Sequence, residues 1–275
     1  MRHRAASTSF RVVFESVRDP LPVVVHDGWV EAFPWLVQGT TTSGRVSPAG
    51  EGAPPFDLGL FSDGSAEAVV RRNWRTLAQH LDATAVVHAP QPHGCVVRVW
   101  PGSGATEDGV AGGDGAPQLV DPCDGHVTRQ PGVVVAVTVA DCVPVSLVDP
   151  KQRVVAMVHA GWRSAAAGIL ELALETMTDR FGTRTDDVHV HLGPAICGAC
   201  YEVGPEVHEA LGQQVPSGPE PIDLRGVLGR RALEYGAVPD RTTVSGHCTL
   251  CGEAGLFSHR GGDAQRQVGF LGIRG

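Results

Sequence analysis

The stretch Gly132–Leu170, GVVVAVTVADCVPVSLVDPKQRVVAMVHAGWRSAAAGIL, decides the fold. It holds three β-branched runs, GVVVAVTVA, VPVSLVD and RVVAMVH, separated by turn residues. Runs this short and this continuously apolar read as strands covered on both faces. The periodicity then changes: Ile169, Leu170, Ala173, Leu174, Met177 and Phe181 recur at helical spacing, which predicts one amphipathic helix over Arg163–Phe181. Cys142 follows the first run and His159 ends the third. A thiol and an imidazole at the ends of neighbouring buried strands admit three readings: a nucleophile with its base, part of a metal site, or packing.

The flanking sequence extends the pattern. On the N-terminal side, LPVVVHDGWVEAF reads as a strand and turn, and TTTSGRVSPAGEGAPP as a loop. A helix follows, with Ser65 as its N-cap and Val69, Val70, Leu77 and Leu81 on its apolar face. ATAVVHAPQPHGCVVRVW reads as two short strands around a proline-containing turn that carries His93, and residues 101–122 as a Gly/Asp/Pro-rich surface loop. On the C-terminal side, DVHVHLGPA, TTVSGHCTL and QVGFLGI read as strands, and GPEVHEALGQQV and DLRGVLGRRALEYGA as helices. The expected fold is a single α/β domain with mixed β-sheets flanked by helices.

Composition narrows the function. The 275 residues carry a formal charge of −8 without a basic cluster, which disfavours a nucleic-acid partner. Lys151 is the lone lysine among 22 basic residues, and the arginines that make up the rest suit phosphate recognition. No stretch approaches the roughly 20 apolar residues of a membrane span, and MRHRAASTSFRVVF lacks the apolar core of a signal peptide. Seven cysteines, an odd number, argue for a reducing, cytoplasmic setting rather than a disulfide framework.

His93, Cys142 and His159 all lie at strand–turn junctions. Three N/S ligands with one open position is the usual arrangement of a catalytic zinc, whose charge lowers the pKa of a water in the open position. Two further pairs, Cys197/Cys200 and Cys248/Cys251, have C-x-x-C spacing and together would make a closed four-thiolate site. The gap between them is far longer than in a compact zinc ribbon, so they read instead as core or pocket-lining thiols. His189 and His191 form the one H-x-H, read as two polar residues on the accessible face of a strand.

The motifs FDLGLFSDGSAEAVVRRNWRTLA, QPHG, VTVADCVPVSLVD, VHAGWRSAAAGIL, GPAICGACYEV and CTLCGEAGLFSHRGGDAQRQVGFLGI occur in the order of one family. The chain resembles the laccase-domain, or polyphenol-oxidase-like, family, also called the peptidoglycan-editing-factor family, over roughly residues 35–273. The resemblance implies α/β/β/α layering like that of bacterial cysteine deamidase toxins. It implies an N-terminal extension (1–34) packed on a catalytic domain (35–275). It also implies one zinc held by His93, Cys142 and His159. The implied activity is purine nucleoside chemistry: phosphorolysis of adenosine, inosine, guanosine or methylthioadenosine, and deamination of adenosine.

Arg163, in the first turn of its helix, is expected beside the metal ligands as a phosphate-holding catalytic residue. Arg260 and Arg266 match the family's C-terminal arginine motif and could add charge, with the surface reading beside it. Asp57 and Asn73 fall in segments assigned to phosphate or purine contact, but both segments depart from the family pattern. An Asp at position 57 replaces an amide and would repel phosphate, and Asn73 is followed by Trp74 rather than Arg. Asp141 is read as a turn cap or as an acceptor behind a ligand histidine.

Three alternatives accompany this reading. One is an amidase acting on a cell-wall precursor, with Cys142 as nucleophile and His159 as base. Another is a copper polyphenol oxidase, disfavoured because paired histidine motifs are lacking. The third is a non-catalytic metal-binding partner protein.

Overall fold

The computed structural model describes residues 10–18, 20–44, 54–101 and 116–275. Most of the expected surface loop 101–122 lies outside the described residues, although Gln118–Leu119 forms a short strand.

Two mixed seven-stranded sheets face one another. In spatial order the first contains Arg11–Val13, Thr242–Ser245, His189–Leu192, Val143–Asp149, Val154–Ala160, Gly125–Thr128 and Val97–Trp100. The second contains Ser16–Arg18, Val23–Val25, Leu36–Thr41, Gln267–Ile273, Val133–Val139, Ala85–His88 and Gln118–Leu119. The expected N-terminal extension, where described, therefore supplies edge strands to both sheets.

Strand alternation explains the layering. Val133, Val135, Val137 and Val139 pack against Val148, Val155 and Met157 of the facing sheet. Val134 and Ala136, on the opposite face, pack beneath the helix Glu67–His80 through Val70, Trp74 and Leu77. In the first sheet, Val143, Val145, Leu147, Val154, Ala156 and Val158 turn to the helix Ile169–Phe181. The helices Pro205–Ala210 and Leu224–Glu234 complete that outer layer. Buried on both faces, the strands of residues 143–149, 154–160 and 267–273 can be continuously apolar. The result is the α/β/β/α arrangement. Among the described residues no helix is long and apolar enough to cross a membrane.

Several local expectations are corrected. The helix predicted over Arg163–Phe181 is two, Trp162–Ala166 and Ile169–Phe181, broken at Gly168, whose φ of 85° is left-handed. Ala66, not Ser65, occupies the N-cap before Glu67, because the Ser65 amide donates to Asp57 Oδ2 at 2.7 Å. The segment DGWVEA is a helix, not a turn, capped by His26 Nδ1 accepting from the Trp29 amide. The face carrying His189 and His191 is not an accessible one: His191 is buried against His26 and Trp29, and the half-buried His189 packs on Phe33. Both rings occupy the layer between the sheets.

Candidate metal centre and its cavity

The strands Val143–Asp149 and Val154–Ala160 form an antiparallel hairpin in which Val143 pairs with Ala160 and Pro144 with His159. That register sets Cys142 and His159 at the same open end of the hairpin. His159 shares the parity of Val155 and Met157, which face the second sheet, so its ring lies at the mouth of the gap between sheets. Gly161 follows, where a Cβ would stand 3.0 Å from Cys142 Sγ and 3.1 Å from His93 Cδ2. A side chain there would push Cys142 and His93 apart by a few tenths of an ångström, so glycine lets the HAGWR turn pass close without disturbing the donors.

His93 arrives on the crossover from Ala85–His88 of the second sheet to Val97–Trp100 of the first. Its turn is clamped at two points. Gln91 accepts from the amide and hydroxyl of Thr138 (2.8 and 2.9 Å) and donates to its carbonyl (2.9 Å). Asp124, 0% exposed, accepts from the His93 amide at 3.1 Å and the Gly94 amide at 2.8 Å. The same carboxylate meets His159 Nδ1 at 2.8 Å, and the Asp124 carbonyl accepts from the His159 amide at 2.7 Å. Asp124 thus holds both histidines, fixes the His159 proton on Nδ1 and leaves Nε2 for a metal. The donor atoms of His93, Cys142 and His159 all lie within 4.8 Å of one another. Two imidazoles and one thiolate suit zinc chemically, and the adjoining cavity provides an open position.

Burial alone would push the Cys142 thiol up. The charge of His159 and hydrogen bonds from His159 and His93 outweigh it and bring the thiol down to about 6. Burial likewise opposes charge on His159, but the Cys142 charge and the hydrogen bonds to Asp124 and Cys142 raise it to about 9. Without metal the pair is therefore thiolate and imidazolium near neutrality.

The cavity beside these residues has a volume of about 270 Å³. Phe61, Gln91, His259 and Arg266 line it together with the three candidate ligands. A larger cavity of about 660 Å³ lies against the helix Ile169–Phe181, around Trp100, His126 and Glu175. It contains neither the His93/Cys142/His159 group nor the four-cysteine group of Cys197, Cys200, Cys248 and Cys251.

Of the arginines expected at the site, the structure brings one to the cavity. Arg266 lines it, with Nη1 donating to the carbonyls of Asp263, Ala264 and Gln265. Arg163 is exposed and stacks over Trp162 at 4.4 Å, outside the cavity lining. Arg260 lies over Tyr201 at 5.6 Å and donates to the Glu202 carbonyl at 2.9 Å. Asp57 and Asn73 are scaffold. The Asp57 carboxylate, 0% exposed, accepts from the amides of Gly59, Ser65 and Arg266, and Asn73 Nδ2 donates to the Asp57 carbonyl. The acidic Asp57 therefore anchors Arg266 rather than facing an anion.

Asp141 is a loop tie. It accepts from Thr249 Oγ1, Ser258 Oγ and the Arg260 amide at 2.6, 2.8 and 2.7 Å. The acceptor behind the ligand histidine is Asp124. Neither Asp124 nor Gln91 stood out in the sequence, although Gln91 sits in the QPHG motif and Asp124 directly precedes a strand.

Residues 39–274 match the family described as multi-copper polyphenol oxidoreductase laccase, and the chain belongs to that family. It is 32% identical over 273 residues to the purine nucleoside phosphorylase YlmD of Geobacillus stearothermophilus, covering 90% of this chain and 95% of that protein. It is 38% identical over 149 residues to the adenosine deaminase RL5 of an unknown prokaryotic organism, a match spanning 50% of this chain and 56% of that relative. The crystal structure of Geobacillus YlmD superposes with a TM-score of 0.80 at 28% identity, covering 95% of this chain and 99% of that one. That of the Bacillus licheniformis hypothetical protein YfiH gives 0.79 at 25% identity, covering 93% and 98%.

Proposed function

We propose that this chain is a zinc-dependent purine nucleoside phosphorylase that binds nucleoside and phosphate in the cavity beside His93, Cys142 and His159. The names of the relatives YlmD and RL5 support purine nucleoside chemistry in this family. The observation that carries phosphorolysis over deamination is the lining: Arg266 and His259 contribute to it, and no Asp or Glu among the described residues does. A cationic, carboxylate-free wall favours a phosphate anion, and it lacks the glutamate that acts as acid/base in zinc deaminases.

In this reading Arg266, with its backbone amide pinned by Asp57, holds the phosphate. Phe61, 55% exposed at the cavity wall, offers an aromatic face to the base. Zinc, when held by His93, Cys142 and His159, supplies a concentrated positive charge at the cavity floor. Gln91 and Asp124 keep the three donors in register. Seven cysteines without a disulfide among them suit a cytoplasmic setting.

Arg266→Ala is expected to raise the KM for phosphate by roughly 10-fold or more, the worth of a charge-assisted hydrogen bond, while leaving the KM for adenosine within about 2-fold. Arg266→Lys should recover part of the loss, because it keeps charge without the planar fork. Equal loss for both substrates would remove Arg266 from the phosphate site.

The thiolate–imidazolium pair specifically favours a second reading, an amidase using Cys142 as nucleophile and His159 as base. Alkylation separates the two. In metal-stripped protein, Cys142 should react with iodoacetamide with a midpoint near pH 6 rather than the usual thiol value of 9.0. The thiolate then persists as pH falls until it is protonated through about 6. Zinc should block that reaction, and chelators should abolish turnover. An activity that survives chelation but not alkylation would support the amidase. Copper is disfavoured because the H-x-H pair is spent elsewhere: His191 contacts Glu15 and Thr243, each at 2.9 Å.

A further inference from the structure

The four cysteines of the two C-x-x-C pairs come together. The Sγ atoms of Cys197, Cys200, Cys248 and Cys251 all lie within 4.8 Å of one another. Cys197 and Cys251, from different pairs, are 3.9 Å apart. A tetrahedral zinc tetrathiolate with Zn–S bonds of about 2.3 Å has S–S edges of about 3.8 Å, whereas a disulfide needs about 2.05 Å. Disulfides would also divide the sulfurs into two close pairs rather than gather four around one point.

The backbone is arranged for thiolates. Cys248 Sγ accepts from the amides of Cys197 at 3.3 Å and Cys251 at 3.5 Å, so each pair turns an N–H toward the same sulfur. The second turn is closed by Gly252, whose amide donates to the Cys248 carbonyl at 3.1 Å and where a Cβ would stand 2.4 Å from that oxygen. C-T-L-C-G is therefore a tight knuckle that no other residue could close without shifting. Core packing does not account for the group. Only Cys248 is buried, while Cys197 and Cys200 are half-buried and Cys251 is exposed. Cysteines that serve as small hydrophobes belong in the interior.

We infer that Cys197, Cys200, Cys248 and Cys251 form a second, closed zinc site that staples the loop after His189–Leu192 to the loop after Thr242–Ser245. The long sequence gap between the pairs, which argued against a compact ribbon, is bridged by the parallel pairing of His189–Leu192 with Thr242–Ser245. Ala195 and Cys248 continue that pairing as an isolated bridge.

The staple reaches the cavity. Thr249, inside the knuckle, donates to Asp141 Oδ1 at 2.6 Å, and the Ile196 amide donates to the Asp141 carbonyl at 3.1 Å. Asp141 adjoins Cys142 and holds a left-handed φ of 82°. The second zinc thus acts as a positioning element for Cys142. Its existence does not depend on which reaction the cavity performs.

Zinc content of the purified full-length protein tests this. Wild type should carry two zinc ions per chain, Cys200→Ser and Cys251→Ser one, and His93→Ala also one. Cobalt-loaded His93→Ala should show the sulfur-to-cobalt charge-transfer and ligand-field bands of a tetrahedral tetrathiolate, a readout that keeps all four cysteines intact if the serine variants fail to fold. One zinc per chain that the serine substitutions leave in place would overturn the inference. So would iron in place of zinc, or a disulfide among the four in freshly purified protein.

Discussion

Asp124→Ala is expected to lower zinc affinity by about 10- to 100-fold, with turnover falling in parallel at limiting zinc. The carboxylate is fully buried and serves three partners: His159 Nδ1 and the amides of His93 and Gly94. Truncation frees the His159 ring to change tautomer and strips the acceptor from the partly buried amides of His93 and Gly94, loosening the turn that carries His93. Stability should therefore fall with affinity. Asp124→Asn separates the effects in part: its one amide oxygen can replace the oxygen that accepts from the His93 amide and His159 Nδ1, while its NH2 faces the Gly94 amide and can accept nothing from it. It should keep more stability than Asp124→Ala and still bind zinc more weakly than wild type. Isothermal titration with zinc and a urea melt of each variant give the two numbers. An Asp124→Ala protein with unchanged zinc affinity would show that the histidines need no such orientation.

Glu15→Ala should be strongly destabilising, because it leaves the buried His191 Nε2 and Ser245 Oγ without their acceptor, at about 1–3 kcal/mol each. Glu15 lies between the strands Arg11–Val13 and Ser16–Arg18, one in each sheet. Its carboxylate meets His191 Nε2 at 2.9 Å and accepts from Ser245 Oγ at 2.8 Å, and its carbonyl meets His247 Nε2 at 3.0 Å. Burial raises its pKa, but the hydrogen bond and charge of His191 and the hydrogen bond from Ser245 outweigh that and hold it below 4.5. A depressed carboxylate stabilises the fold above its unfolded pKa and loses that contribution as pH falls through the folded value. The gap between wild type and Glu15→Gln should therefore be full near pH 7 and shrink below about pH 4.5. Chemical denaturation at several pH values measures it, and a gap independent of pH would contradict the assignment.

These two residues mark where the sequence became hard to read. The central strands are legible because burial on both faces leaves a near-continuous apolar signature, as in Val143–Asp149 and Val154–Ala160. Leu36–Thr41 was missed because Gly39 and its threonines break that signature. The glycine is required there, since a Cβ would meet the Phe270 ring and the Val24 carbonyl, both at 2.9 Å. The long helix was overextended because three alanines before Gly168 look helical, whereas the backbone reverses hand at the glycine.

At the site, strand–turn junctions make His93, Cys142 and His159 one triple among many that twelve histidines and seven cysteines allow, and only the family motifs single it out, since local spacing does not link the crossover turn of His93 to the hairpin of Cys142 and His159. Asp124, Glu15 and the two C-x-x-C pairs meet their partners only where distant segments are brought side by side. No periodicity announces such pairings. The arginines show the opposite error: Arg163, Arg260 and Arg266 have the same chemistry in sequence, and only packing separates the one lining the cavity from the two stacked on Trp162 and Tyr201.

Phosphorolysis of purine nucleosides is the activity proposed for the zinc-loaded cavity. Its most direct test is product analysis of adenosine incubated with zinc-loaded protein, with and without phosphate. The expected result is adenine and ribose-1-phosphate, formed only when phosphate is present and lost in Cys142→Ser. Inosine as the sole product, formed without phosphate, would contradict phosphorolysis, and no turnover of adenosine in protein shown to hold zinc would contradict the purine assignment itself.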